Sequence, residues 1–316
     1  MCVAQLTPAT FATTMESIIF DTDISSDVDD VGALALLHTL ANKREAKILA
    51  TMVSSGNPLS PVCLNALNTY FGRPQIPIGV VRNPKVSTPS KYAKIIAEKY
   101  THSLKSAQEA SDAVDLYRRV LAAQPDKSVV IVTTGYLTNI ADLLRSGADR
   151  TGSLDGITLA KRKVKRLVCM GGQYPRGREW NFYQDAASAR YVVSHWPGAI
   201  VYCGFEIGVN VMTGAGFKGL PSNPVGMSYA LYNGLNNRPS WDQITVLVAV
   251  RGLKEALGSL WGLHITGTNH VMADGSNNWR KGPAQNQAYL ISKSASPQAA
   301  RLIEKLMIES LYFKTK

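Results

Sequence analysis

Five aspartates fall within ten residues, Asp21-Thr-Asp23-Ile-Ser-Ser-Asp27-Val-Asp29-Asp30, with apolar residues on both sides. Carboxylates this close repel one another, and burial would drive protons onto them. A hard divalent cation removes the conflict, because Ca2+ and Mg2+ prefer carboxylate, carbonyl and water oxygens. The segment therefore reads as a candidate cation site, against the simpler reading of a solvated acidic turn capping a helix. An EF-hand loop is excluded, since counting from Asp21 the sixth residue is Ser26 and the twelfth Gly32. A phosphatase of the haloacid-dehalogenase type would end a strand in D-x-D, with Asp21 as nucleophile, Asp23 as acid/base and Thr133 or Thr134 at a later strand end. Ser25 stands where that pattern needs Thr or Val, so it is not completed.

Other polar or glycine-rich groups follow short β-branched runs: Gly56-Asn57, Thr134-Gly135 and Gly171-Gly172, with Trp241-Asp242 opening a late helix. In open parallel α/β sheets ligands collect at the carboxyl ends of the strands, so these positions converge if the runs are strands of one sheet. The pattern supports that. Strands are expected at Ser17–Asp21, Ala46–Val53, Ile76–Val81, Lys127–Thr133, Arg166–Met170 and Ala199–Cys203. Between them, helices are expected at Asp29–Leu40, Leu59–Tyr70, Ser106–Ala123, Thr138–Leu144 and Asp185–His195. Such alternation predicts an α/β fold, a single domain whose mainly parallel sheet is flanked by helices. Further on, Ser222–Arg238 reads as a mobile loop or lid around a short helix, and Trp241–Leu257 as a buried helix. Thr266–Asn286 reads as a turn-rich antiparallel excursion and Ser296–Leu311 as a closing helix.

Lys and Arg exceed Asp and Glu by 34 − 23 = 11, but the basic residues are scattered. The densest run, Lys161 to Arg166, reads most simply as a solvated loop, so no nucleic-acid partner is expected. No apolar run is long enough for a membrane span. The four cysteines show no CxxC pair and no zinc-ligand spacing, which makes a reduced, cytoplasmic setting the expectation. Residues 1–16 contain no Lys or Arg and no long apolar core; they are expected to be a disordered leader ahead of a domain spanning 17–316.

The ordered set of motifs resembles the inosine–uridine-preferring nucleoside hydrolase family. Its D-x-D and helix-opening Asp-Asp-x-x-Ala-Leu are matched by Asp21-Thr22-Asp23 and Asp29-Asp30-Val-Gly-Ala33-Leu34. Gly56-Asn57, Thr134-Gly135-Tyr-Leu-Thr138-Asn139, Met170-Gly171-Gly172, Glu179-Trp180-Asn181 and Asp242 follow in the family's order. The resemblance covers roughly residues 17–290. This chain departs from the family in lacking Pro-Gly after D-x-D and in carrying two extra residues before the Asp pair. Asp27 is thereby an additional carboxylate without an assigned role.

The resemblance implies hydrolysis of the N-glycosidic bond of ribonucleosides with Ca2+ as cofactor. The ion would be held by Asp23, Asp30, the Thr134 main-chain carbonyl and Asp242, with Asp23 also the general base. Asp29 and Asn57 would bind the ribose hydroxyls, Glu179 and Asn181 the 5′ and 3′ side, and Met170 and Trp180 would form the wall. Many members place a histidine before the last metal-binding Asp to protonate the departing base. Here that residue is Trp241, and none of the five histidines falls on a motif. Tryptophan offers a stacking face and one N–H, so a purine preference is expected, with Tyr232 and Arg238 as auxiliary contacts. The family also implies a homo-oligomer, a dimer or tetramer. The alternatives carried forward are a Mg2+-dependent phosphatase and a non-catalytic, Ca2+-dependent sugar-binding protein.

Overall fold

A computed structural model describes residues 15–254, 256–294 and 296–312. Its centre is a ten-stranded sheet, in which β1 (Glu16–Thr22), β2 (Ala46–Val53), β3 (Ile78–Val80) and β4 (Ser111–Asp112) run outwards to one edge. On the other side of β1 lie β5 (Val129–Thr133), β6 (Val164–Met170) and, past the two-residue β7 (Arg176–Gly177), β8 (Ile200–Cys203). Two further short strands, β9 (Met212–Thr213) and β10 (Arg238–Pro239), pair with each other apart from this sheet. A long antiparallel hairpin, β11 (Trp261–Val271) and β12 (Asn277–Ser292), closes the second edge. Every neighbouring pair from β12 through β8, β6, β5, β1, β2 and β3 to β4 is parallel. The chain order reverses at β1, between β2 and β5, which makes the crevice beyond the carboxyl ends of β1 and β5 the topological switch point.

The period-2 alternation of β1 decides what lies on each face. Ile18 and Phe20 join a core cluster on one side and Ile19 a second cluster on the other. The helix Asp29–Asn42 is buried on nearly all sides from Asp29 to Leu40, which explains its lack of a polar stripe. It packs between the helices Trp241–Arg251 and Ser296–Glu309. The single α/β sheet flanked by helices is the fold the alternating pattern implies.

Boundaries differ where local chemistry overrides periodicity. Trp241–Leu257 is broken at Gly252, whose φ of 64° ends the helix at Arg251; a separate short helix covers Ala256–Leu260. Ser106–Ala123 begins as a 3-10 turn and the edge strand β4. Its helix starts only at Ala113, because the Asp112 carboxylate accepts from the amides of Val114 and Asp115. The Lys161–Arg166 run is not a loop: it spans the last turn of a helix, Gly156–Lys163, and enters β6. Arg162 and Lys163 pair with Asp126, while buried Arg166 pairs with Glu16 and donates to the Ala249 carbonyl. Most of the stretch read as a lid is a helix, Pro224–Asn233, capped by the Asn223 side chain. Residues 1–14 of the expected leader lie outside the described residues, and β1 begins at Glu16.

Candidate active site

The acidic segment leaves β1 through a sharp turn in which buried Ile24 adopts a φ of 28°, a costly conformation for a β-branched residue. Ser60 Oγ donates to the Ile24 carbonyl at 2.8 Å and helps hold that turn. The chain then enters the helix opening at Asp29. Carboxylate oxygens of Asp29, Asp30 and Asp242 all lie within 4.8 Å of one another, and all three residues are buried. Oxygens bound to one Ca2+ at about 2.3–2.6 Å can be no more than about 5 Å apart, so this spread matches a shared ion. Asp29–Asn42 and Trp241–Arg251 both begin here, and the Asp242 amide donates to Asp29 Oδ2 at 3.3 Å. Two helix N-termini thus supply partial positive charge beside the acidic cluster.

Asp23 is buried beside Asp30 and lines the same cavity. Burial pushes the Asp23 carboxyl up to about 6. Burial and then the repulsion of neighbouring aspartates hold Asp29, Asp30 and Asp242 well above the carboxylate range. A divalent cation would reverse that penalty. Asp30 Oδ1 accepts from Thr22 Oγ1 and, at 3.2 Å, from Thr134 Oγ1, so its orientation is fixed from behind. The donors are all oxygens, with no imidazole or thiolate among the three carboxylates, which suits a hard cation and not a soft one. The residues present fit the cation.

Above the carboxylates opens a cavity of about 320 Å3. Its lining includes Asp23, Asp29, Asp30, Thr134, Met170 and Asp242 together with Glu179, Trp180, Asn181 and Trp241. These came from five separate places in the sequence. Asn57 is not among the lining residues: its Nδ2 donates to the Thr88 carbonyl and its Oδ1 accepts from the Leu59 amide, the bonding of a turn residue. Glu179 is buried, not a surface partner of Arg176 or Arg178. Its carboxylate accepts from the amides of Gly172, Asn181 and Phe182, and burial lifts it to about 7 despite those bonds. Asn181 Nδ2 donates to the Thr134 carbonyl at 3.1 Å. Trp180 is 44% exposed and so belongs to the wall, not the core. Trp241 stacks on Phe205 with ring centroids 5.4 Å apart and donates Nε1–H to the Phe205 carbonyl at 2.7 Å.

Ser26, Asp27, Phe205, Tyr232 and Arg238 also line the cavity. Phe205 lies two residues beyond the end of β8, separated from it by Gly204, so the strand-end rule that marks the other site segments also points to it. Ser26 carries no chemical signal of its own. Asp27 acquires a partner no sequence rule supplies: Arg238, more than two hundred residues away, pairs with it through Nε and Nη2. Asp21 does not reach the cavity. It is on the Ile19 face of β1, fully buried, accepting from Tyr117 Oη at 2.8 Å and Asn139 Nδ2 at 3.1 Å. A nucleophilic Asp21 is therefore excluded, and the phosphatase alternative with it.

Fold and site together define an α/β protein with a carboxylate cation site at the switch point and an aromatic-walled pocket above it. The family model of the inosine-uridine preferring nucleoside hydrolases matches residues 18–284. The chain belongs to that family, whose reaction is hydrolysis of the N-glycosidic bond of ribonucleosides. Among solved structures it is similar to a purine-preferring ribonucleoside hydrolase from Gardnerella vaginalis, with TM-score 0.71 and 15% identity over 94% of this chain and 100% of that one. A plant nucleoside hydrolase gives 0.68 and 18% over 95% and 99%. An inosine-uridine preferring nucleoside hydrolase from Bacillus anthracis gives 0.63 and 16% over 93% and 100%. No curated protein matches the chain. Among the described residues no helix is long and apolar enough to cross a membrane.

Proposed function

We propose that the protein is a calcium-dependent ribonucleoside hydrolase that prefers purine nucleosides. The observation that carries the reading is the convergence of buried Asp29, Asp30 and Asp242 beneath an aromatic-walled cavity. Asp23, Asp30, Asp242 and the Thr134 carbonyl would hold the ion. When bound, it supplies a lowered pKa to an attacking water and a docking point for the ribose diol. Asp23, lifted to about 6 by burial, is suited to accept the proton of that water near neutral pH. Positive charge grows on the sugar ring as the glycosidic bond breaks, and the surrounding carboxylates stabilise it. Asp29 would bind the ribose hydroxyls, and Glu179 and Asn181 the 5′ and 3′ side.

No histidine lines the cavity among the described residues, so the departing base must be favoured by other means. Trp241, stacked on Phe205, and Trp180 in the same lining offer large flat faces that suit a purine better than a pyrimidine. The test is release of free ribose from inosine, adenosine, guanosine, uridine and cytidine, with and without chelator. Phosphate release from phosphate esters is followed in parallel. Chelator-sensitive ribose release with higher kcat/KM on purines is expected, and Trp241→Ala is expected to narrow the gap. Binding of nucleoside without ribose release would establish instead a Ca2+-dependent sugar-binding protein. Equal rates on inosine and uridine would remove the purine preference.

A further inference from the structure

Asp27 and Arg238 have no place in the metal or ribose chemistry, yet both line the cavity. Asp27 belongs to the acidic loop beyond β1, and Arg238 opens β10, immediately before the helix that carries Asp242. Arg238 Nε donates to Asp27 Oδ1 at 3.0 Å and Nη2 donates to Oδ2, a side-on pair. The Asp27 main-chain carbonyl in turn accepts from buried Tyr92 Oη at 2.6 Å, which ties the anchor to the interior. The guanidinium carbon stands 5.3 Å from the Trp241 ring centroid and 5.5 Å from that of Tyr232. Arg238 therefore sits against two of the rings that line the cavity.

A guanidinium has five N–H donors in a fixed fork. Asp27 occupies Nε–H and one Nη2–H and neutralises the charge. A bare arginine would favour an anion such as phosphate; this one is compensated, and suits a neutral group rich in acceptors. Its remaining edge, Nη1 with the second Nη2–H, presents two parallel donors. That edge is the geometric complement of O6 and N7 of a 6-oxopurine, the pairing arginine makes with guanine in nucleic acids. N7 is also where electron density collects as a purine departs, so a donor there favours leaving.

Resting on the nucleoside hydrolase reading, we propose that the Asp27-anchored Arg238 is the base-specificity residue of this pocket, and that it selects 6-oxopurine nucleosides, inosine and guanosine, over adenosine. Adenosine presents a donor where inosine presents O6, and 7-deazainosine lacks N7. Losing one member of a bidentate pair costs between about 5- and 100-fold in discrimination. The wild type is thus expected to favour inosine over both analogues in kcat/KM by a factor in that range. Arg238→Gln is expected to bring the inosine-to-adenosine ratio near unity and to leave 7-deazainosine only its intrinsic handicap as a leaving group. Arg238→Lys keeps a cation for Asp27 but has no fork, and is expected to do the same; it serves alone should Arg238→Gln fail to melt cooperatively. An inosine-to-adenosine ratio that persists in either folded variant, with all substrates slowed alike, would make Arg238 a structural latch and overturn the proposal while leaving the hydrolase reading intact.

Binding of free hypoxanthine and adenine, followed by quenching of tryptophan fluorescence, separates the other case. An Arg238-dependent preference for hypoxanthine in a protein that hydrolyses no nucleoside would retire the hydrolase reading and keep the recognition. Equal binding of the two bases by wild type and Arg238→Gln would overturn it.

Discussion

Asp23 and Asp30 are neighbouring buried carboxyls, the charge of Asp23 raising the proton affinity of Asp30, and their substitution should separate two duties. Asp30 is locked by Thr22 and Thr134 and belongs to the triad of converging carboxylates. Asp30→Asn removes a charge from the cation site without changing volume. It is expected to weaken Ca2+ binding by at least about 10-fold, since affinity in such sites follows ligand charge count. Calorimetric titration with Ca2+ measures this, and an unchanged affinity would remove Asp30 from the site. In the proposed mechanism Asp23 takes the proton of the attacking water, so Asp23→Asn is expected to lower kcat by about 10²- to 10⁴-fold. If it is also a ligand its Ca2+ affinity falls too, but saturating Ca2+ should leave the kcat deficit in place. Full recovery of kcat at high Ca2+ would make Asp23 a ligand only.

The elements that bring these side chains together meet at one contact point. The loop after β5 crosses the loop after β1 at Gly135, where a Cβ would lie 2.5 Å from the Asp23 amide nitrogen and 2.8 Å from its Cβ. Those are backbone and near-backbone atoms, which cannot swing aside as a long side chain would. Gly135→Ala is therefore expected to cost about 1–3 kcal/mol of stability through overpacking and to displace Asp23. Melting temperature and kcat should fall together while the far-ultraviolet circular dichroism stays native; wild-type kcat would show that the two loops can separate without harm. The same element logic explains what the sequence disclosed. Strand ends are legible because β-branched runs stop at polar residues, and Asp21–Asp30 and Thr134 follow from that rule, while Asp242 is marked by opening a helix. The Asp112 cap, the Gly252 break and the helical tail of Lys161–Lys163 are settled by single hydrogen bonds or dihedrals, which a hydrophobic period does not register. Asn57 is a strand-end residue that the cavity lining does not include. Its position after β2 is right for the site, but its amide is committed to Thr88 and Leu59. The Asp27–Arg238 pair joins segments whose proximity depends on the whole topology, so no local pattern could reveal it.

At the scale of the whole molecule, the sheet collects buried carboxyls at one end, and this ties stability to pH and to the cation. Asp21 on one face of β1, and Glu179 at the cavity wall, are each pushed up to about 7 chiefly by burial, and Asp23 to about 6. The unfolded chain releases these protons near pH 4. Between about pH 4 and pH 7 the folded chain therefore binds more protons than the unfolded one, and stability falls as pH rises through that window. Calcium acts against this trend. As the proposed ion it would bind the folded arrangement of Asp29, Asp30 and Asp242 and not the unfolded chain, so it would stabilise in proportion to the logarithm of its concentration over Kd, displacing protons to do so. With chelator, the melting temperature is thus expected to decline from pH 5 to pH 7.5. Millimolar Ca2+ should restore it at pH 7.5 and do far less at pH 5, where protons occupy the same oxygens. Asp30→Asn should abolish the Ca2+ gain. Asp21→Asn, away from the cavity and bonded only to Tyr117 and Asn139, should keep that gain while flattening part of the decline seen with chelator. Thermal melts across this pH range, with and without Ca2+, check all of these outcomes. A Ca2+ gain as large at pH 5 as at pH 7.5 would mean that the ion binds somewhere other than these buried carboxyls.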